Sequence, residues 1–344
     1  MRRQDINRVV VVTNPVSTRH EVIRPRIDDI KQHFGHQVVE LESFPEPTDT
    51  TDLLKDTLRH NDLVVTAGGD GTARTAVEAL ADPTVPAHRA TLLPLPGGYR
   101  NDLARQLHGA RHLHRPSQLI KDSAAVNILP LRTSFQFERG SEQRLSALYT
   151  GIGAMAAAAD YISSPEFRSR PGYHNPLVRE LHGLSILPWA LKNTQNIAVQ
   201  DDAGNERSVY DIMLVNAPVV AQYLHPPVNL LDDEAFYAEL PSKRPHHVVS
   251  YLGRLMAQPY LKPPVHQMVR PGQDIGFTLR EPTYVHMDGD AEVLPEGVHI
   301  GFGLHTIAFQ ALCSRPRRVM QYASNAPERP GWLSDWAFPL RPAV

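Results

Sequence analysis

Residues 64–80 read VVTAGGDGTARTAVEAL, an apolar run, then three glycines around one carboxylate, then a run with helical spacing. Glycines at a strand-to-helix turn allow positive φ and let a ligand reach the main chain with no Cβ in the way. Bare amides at a helix start bind phosphate. A carboxylate there repels phosphate directly, so Asp70 is expected to hold a magnesium ion that phosphate also binds. A plain tight turn, with Asp70 or Thr72 capping the helix, accounts for the loop alone equally well. A second stretch, TLLPLPGGYRNDLARQL (91–107), repeats the plan: buried strand, Gly97-Gly98, then Asn101-Asp102 opening a helix. A third piece, Asn14-Pro15-Val16-Ser17, follows the first apolar run. Two such loops favour one phosphate-and-metal site over two unrelated turns.

The elements that would carry these loops can be read from the apolar pattern. RVVVVTN (8–14), QVVELES (37–43), DLVVTAG (62–68), ATLLPLP (90–96) and AVNILPL (125–131) read as strands, with helical spacing or capping residues in 20–34, 48–59, 72–81 and 101–107. Near-continuous apolar strands separated by helices predict a parallel sheet covered on both faces. Ligands in such sheets sit at the carboxyl ends of the strands, where all three loops fall. After about residue 132 the texture becomes short alternating runs, including RLSALYTG, SVYDIMLVNA, TYVHMD and HTIAF, which predict an antiparallel sandwich or barrel. Helices are expected within 153–193 and at 246–257.

The fold class expected is therefore α/β plus β. A parallel-sheet nucleotide domain over 1–132 precedes an antiparallel β-sandwich substrate domain with inserted helices over 133–310. Residues 311–344 are left open to complete the first domain. With 344 residues, 42% of them apolar and 21% charged, the chain has the composition of a globular protein of two domains. A net charge of −2 gives no global field for nucleic acid, and no nucleic-acid partner is expected. The lone Cys313 excludes an internal disulfide and a cysteine-based zinc site. The apolar run after the basic start is too short for a secretory signal, and no window has the length of a membrane span, so a soluble, cytoplasmic protein is expected.

NPVS, GGDGT and GGYRNDLAR together resemble the catalytic domain of the diacylglycerol kinase family, which includes sphingosine, ceramide and bacterial lipid kinases. The resemblance continues through YTGIGAMAAAA (149–159), the segment 215–240 and HMDGDAEV (286–293), which sits where the family has Asp-Gly-Glu. It implies a cleft between the domains that binds ATP and Mg2+. Asn14, Ser17, Gly68, Gly69, Asp70, Gly71, Thr72, Gly97, Gly98, Arg100 and Asn101 would then surround the nucleotide. Asp70 and Asp102 would hold the metal. Asp288 would take the proton of the acceptor hydroxyl, with Asp290 in place of the family's Glu. Asp288-Gly289 is also a strong hairpin-turn signal, and both roles are compatible.

The activity this implies is phosphate transfer from ATP to a lipid hydroxyl at a membrane surface. Peripheral membrane contact and a homodimer stay open. The chain departs from the family where Tyr99-Arg100 replace Thr-Gly, where APVVAQ follows Asn216, and where Asp233-Glu234 stands for Asp-Gly. Two other readings follow: a small-molecule kinase of the NAD-kinase type, and a nucleotide-binding relative without catalysis. His108, His112 and His114 read as a solvated helix end rather than a zinc site. The leucines of 165–192, and Trp332, Leu333, Trp336 and Phe338 with Arg315, Arg317 and Arg318, read as packing or as lipid-surface contacts.

Overall fold

The computed structural model describes residues 6–15, 20–43, 47–85, 90–98, 101–109, 115–171, 185–218, 226–256 and 265–314. The first sheet contains β1 (Arg8–Thr13), β2 (Val38–Glu42), β3 (Asp62–Gly68), β4 (Thr91–Pro96), β5 (Ala124–Ile128) and one late strand, Phe309–Cys313. Its order is β2-β1-β3-β4, then the late strand, then β5. Helices α1 (His20–Phe34), α2 (Pro47–Thr57), α3 (Asp70–Leu80), α4 (Asp102–His108) and α5 (Pro116–Asp122) come from this half. Successive side chains of a strand point to opposite faces, and both faces of this sheet are buried. Val9, Val11, Leu63 and Val65 pack with Ile23, Ile27 and Ile30 of α1, whereas Val10, Val12 and Val64 pack with Ala73, Ala76, Val77 and Leu80 of α3. The 73, 76, 77, 80 spacing is the apolar stripe of an amphipathic helix.

The remaining strands build two further six-stranded antiparallel sheets. They are β6 (Leu131–Phe137), β7 (Gly140–Ser146), β8 (Tyr149–Gly153), β9 (Ile197–Asp201), β10 (Glu206–Val209), β11 (Asp211–Val215), β12 (Ala235–Leu240), β13 (Val265–Val269), β14 (Asp274–Leu279), β15 (Thr283–Met287), β16 (Asp290–Leu294) and β17 (His299–Leu304), which makes the late strand β18. The orders are β10-β9-β14-β17-β6-β7 and β13-β12-β11-β8-β15-β16. Phe135, Ile152, Ile212, Leu214, Tyr237, Phe277 and Phe302 fill the space between them. Helices α6 (Ala154–Ser163), Ile186–Asn193 and Pro245–Met256 belong to this half. The expected class, a mostly parallel α/β part followed by an antiparallel sandwich with inserted helices, is the observed one.

Several expectations need correction. The 125–131 strand is β5, ends at Ile128, and runs antiparallel to β18. The HTIAF segment is mostly a loop, and only its Phe309 enters β18, which joins the first sheet beside β4 rather than the sandwich. Its partners lie far away in sequence, so no local pattern marks it. RLSALYTG and SVYDIMLVNA are not single strands. The first breaks at Ala147-Leu148 between β7 and β8, and the second at Tyr210 between β10 and β11, each where the chain passes from one sheet of the sandwich to the other. The residues at both corners are buried, so the apolar pattern runs through without a turn signal. His108 is fully buried at the end of α4, not solvated. Ser17, Arg100, His112, His114, most of the 165–192 segment's leucines and the Trp-containing tail lie outside the described residues. No helix among the described residues is long and apolar enough to cross a membrane.

The corner at Tyr210 leaves one polar group in an apolar setting. Asp211 is fully buried. Its Oδ1 accepts the Met155 N–H at 2.7 Å, capping the start of α6 from another strand, while Oδ2 has no partner among the described residues. Burial pushes this carboxyl up to about 8, opposed by the Met155 amide. The folded state therefore holds a proton that the unfolded chain lacks between about pH 4 and pH 8, and stability contributed by this group falls as pH rises through that window. Asp211→Asn keeps the shape and the Met155 bond in a neutral side chain. Its unfolding midpoint should match wild type near pH 4 and exceed it increasingly up to pH 8, by on the order of a few kcal/mol. Denaturant titrations across that range check this, and a constant difference would contradict it.

Candidate functional site

The strand order 2-1-3-4 reverses between β1 and β3, the position at which open α/β sheets leave a crevice beyond the strand ends. Asn14 follows β1, and Gly69 follows β3. The Asn14 N–H donates to Ala67 O at 3.3 Å, and its Nδ2 reaches Thr72 Oγ1 at 3.4 Å. Beside them the two glycine loops touch each other. The Gly97 N–H donates to Gly68 O at 2.7 Å. A Cβ on Gly98 would lie 2.5 Å from the Gly69 Cα, and one on Gly69 would lie 3.2 Å from the Gly98 Cα. The missing side chains are thus required by loop-on-loop packing, a reason the sequence reading did not supply. Asn101 sits in the left-handed region at φ 57°. Its Oδ1 accepts the Gly98 N–H at 2.7 Å, and its Nδ2 donates to Gly98 O at 2.8 Å, so the side chain fastens its own loop.

Asp70 opens α3 and faces the start of α4. Its Oδ2 accepts the Asp102 N–H at 3.0 Å and its Oδ1 the Leu103 N–H at 3.2 Å. A carboxylate at a helix N-terminus complements the partial positive charge there. Burial lifts Asp70 to about 6, with the nearby Asp288 adding to the rise and the two amides and Arg105 opposing it. Asp102, placed with Asp70 as a metal ligand by the family resemblance, is itself buried.

The second half contributes the hairpin between β15 and β16. Asp288, at its turn, is 1% exposed and has φ 43°, the left-handed conformation that a two-residue Asp-Gly hairpin turn uses. Its carboxyl is met by the break between β7 and β8. Oδ2 accepts the Ala147 N–H, and Oδ1 accepts the Leu148 and Tyr149 N–H groups at 3.2 and 3.0 Å. The Asp288 N–H in turn donates to Tyr149 O at 3.2 Å. Burial pushes Asp288 up to about 7, opposed by these amides and by the Arg74 charge. His286 is buried, stacks on the Tyr149 ring at 5.4 Å, and accepts the Gly289 N–H on Nε2 at 3.0 Å. Burial and Arg74 hold its imidazole down at about 4, so it is neutral near pH 7.

Asp290 closes the seam between the halves. Its Oδ2 accepts from Arg74 Nε at 3.1 Å and Nη2 at 2.8 Å. The same guanidinium donates from Nη1 to Glu78 Oε1 at 2.8 Å. Glu78 also accepts from Thr51 Oγ1 at 3.1 Å and from the Leu145 N–H at 3.3 Å. A Cβ on Gly71 would lie 2.7 Å from Asp290 Oδ1, so the hairpin packs directly on the glycine loop. The predicted residues Asn14, Gly68, Gly69, Asp70, Gly71, Thr72, Gly97, Gly98, Asn101, Asp102, Asp288 and Asp290 therefore share one region. Arg74, Glu78, His286 and the three amides at the β7–β8 break were missed. The signal for the first two was an Arg and a Glu four apart in a run otherwise as apolar as ARTAVEAL.

The donor set fits a magnesium-bridged polyphosphate in one respect. The Asp288 charge adds to the rise of Asp70, and added positive charge would relieve that repulsion. Each Asp70 oxygen uses one lone pair on α4, leaving acceptor capacity for a hydrated cation. No cluster of three or more His, Cys, Asp or Glu capable of holding a metal occurs among the described residues. A magnesium ion here would take most of its ligands from phosphate and water, as this ion commonly does.

Comparison with known proteins agrees with this layout. Residues 8–130 match the family model of the diacylglycerol kinase catalytic domain. A candidate diacylglycerol kinase from Bacillus anthracis str. Sterne is similar in structure at a TM-score of 0.64 and 19% identity, covering 90% of this chain and 96% of that one. Another structure, of a diacylglycerol kinase from the same organism, gives a TM-score of 0.57 at 16% identity, covering 89% and 97%. At these identities the likeness establishes the fold. No curated protein matches the sequence.

The loop contact gives a direct test. Gly98→Ala should destabilise the protein by about 1–3 kcal/mol, because its methyl meets main chain that cannot turn aside. Gly253→Ala, in the Pro245–Met256 helix with nothing near its added Cβ, should stabilise by about 0.5–1 kcal/mol. Equal denaturation midpoints for Gly98→Ala and wild type would show that the loops are not in contact.

Proposed function

We propose that this chain is an ATP-dependent lipid kinase, moving the γ-phosphate to the hydroxyl of diacylglycerol, ceramide or a related lipid presented at a membrane surface. The observation that carries the reading is Asp288. It is a carboxyl with its pKa raised to about 7, anchored at the seam against the glycine loop of the phosphate-binding crevice. A general base works best when its pKa lies near the operating pH. The family match over the first domain and the shared fold support the same reading.

In this reading the triphosphate lies across the carboxyl ends of β1, β3 and β4, near the amides of 68–72 and 97–98. Ser17 and Arg100 are proposed to join them. Asp70 and Asp102 would hold Mg2+, which neutralises charge on the β- and γ-phosphates when bound. An Asp288 oxygen takes the proton of the lipid hydroxyl as the hydroxyl's own oxygen bonds to the γ-phosphorus. The bond from the γ-phosphorus to the bridging oxygen breaks, and ADP departs with the bridging oxygen. Asp290 serves by holding the hairpin to Arg74. Since Asp288 is 1% exposed, the hydroxyl reaches it when this seam opens.

The test is incubation with γ-labelled ATP, magnesium and a total lipid extract, beside Asp288→Asn. Wild type should label a lipid fraction, and the variant should lose about a hundredfold or more of that rate. Activity should rise with pH up to about 7, because the base must first lose its proton. Label passing to NAD or a sugar instead would favour a small-molecule kinase. Nucleotide binding with no transfer to any acceptor would leave a binding protein.

A further inference from the structure

Asp288 is held on two flanks, and one side chain touches both. On one flank the Tyr149 N–H donates to Asp288 Oδ1 while Tyr149 O accepts the Asp288 N–H. On the other, Gly289 has φ 109° and follows a residue at φ 43°, so the turn consists of two residues in the positive-φ half of the map. Asp-Gly favours such a turn, and its side-chain contacts decide how the turn is oriented against β8. His286 stacks on the Tyr149 ring with its plane 23° away, and its Nε2 accepts the Gly289 N–H at 3.0 Å. The ring is 7% exposed. In register it lies opposite Gly151, whose lack of a side chain leaves that position open beside the imidazole.

We infer that His286 is a positioning residue for Asp288: the imidazole fixes the turn through Gly289 and the carboxyl-binding strand through Tyr149, and so sets where the carboxyl oxygens point. This deepens the proposed function and rests on it for its catalytic consequence, though the geometry it describes stands apart from any activity. The arrangement requires the tautomer with hydrogen on Nδ1, because only an unprotonated Nε2 can accept. The ring takes no proton from the substrate in this role, and it acts through Asp288.

Two variants separate its two contacts. His286→Phe keeps a ring against Tyr149 but has no acceptor, whereas His286→Gln keeps an acceptor without the ring. Site-resolved amide exchange should show Gly289 exchanging about fivefold faster or more in His286→Phe, with Gly289 restored towards wild type and Leu148 and Tyr149 exchanging faster in His286→Gln. In the kinase assay, His286→Phe should lower kcat by about tenfold to a hundredfold with KM for ATP unchanged, and His286→Gln should recover most of it. Nitrogen-15 spectra of wild type should show the Nδ1–H tautomer. That reading holds even where a variant fails to fold.

Wild-type exchange at Gly289 in His286→Phe, wild-type exchange at Leu148 and Tyr149 in His286→Gln, or an Nε2–H tautomer in wild type would overturn the inference. Faster exchange in His286→Phe without a fall in kcat would overturn it as well. A wild type that transfers phosphate to nothing, yet shows the expected exchange and tautomer, removes the functional reading and leaves the positioning intact.

Discussion

The carboxyl of Asp288 has left water and is met by the amides of Ala147, Leu148 and Tyr149. Those amides converge because the chain crosses between the two sheets of the sandwich there, freeing N–H groups from the ladder. Each side answers a need of the other. A buried carboxyl is tolerable only when hydrogen-bonded, and buried amides at a sheet corner need acceptors outside the sheet. The hairpin, the β7–β8 corner and the start of β8 are consequently fixed as one piece. Through Asp290 and Gly71 that piece is fixed to the glycine loop.

The seam carries more negative than positive charge. Asp70, Glu78, Asp288 and Asp290 lie around Arg74, whose guanidinium binds Asp290 and Glu78 directly and reaches Asp288 only by its field. Asp70 and Asp288, which it does not bind, have pKa values raised by burial. Asp290 and Glu78 are paired with Arg74, whereas the oxygens of Asp70 and Asp288 accept only backbone amides among the described residues.

Much of this was legible in the sequence, and the rest was not for identifiable reasons. Strands β1, β3 and β4 announce themselves by near-continuous β-branched and leucine runs, since both faces are buried. GGDGT was found from residue type, and MDGD through the resemblance to the kinase family. What sequence could not show is that Gly69 and Gly98 touch, because that contact joins loops from separate strands. That the Asp70 oxygens also accept the amides at the start of α4 is a relation visible only once α3 and α4 are packed. His286 carried no signal, because a histidine inside TYVHMD is ordinary for a half-buried strand. The two sheet-to-sheet corners were hidden for the opposite reason: their residues are as apolar as the strands they separate.

The central claim is that a nucleotide's phosphates and the Asp288 carboxyl share the space at this seam. An experimental structure of the full chain with a non-hydrolysable ATP analogue and magnesium addresses it most directly. The account predicts phosphates against the 68–72 and 97–98 loops, with the γ-phosphate separated from Asp288 by room for one hydroxyl and the Arg74–Asp290 pair opened or shifted. A nucleotide bound elsewhere, or phosphates excluded from the seam while Asp288 keeps its three amides, would contradict it.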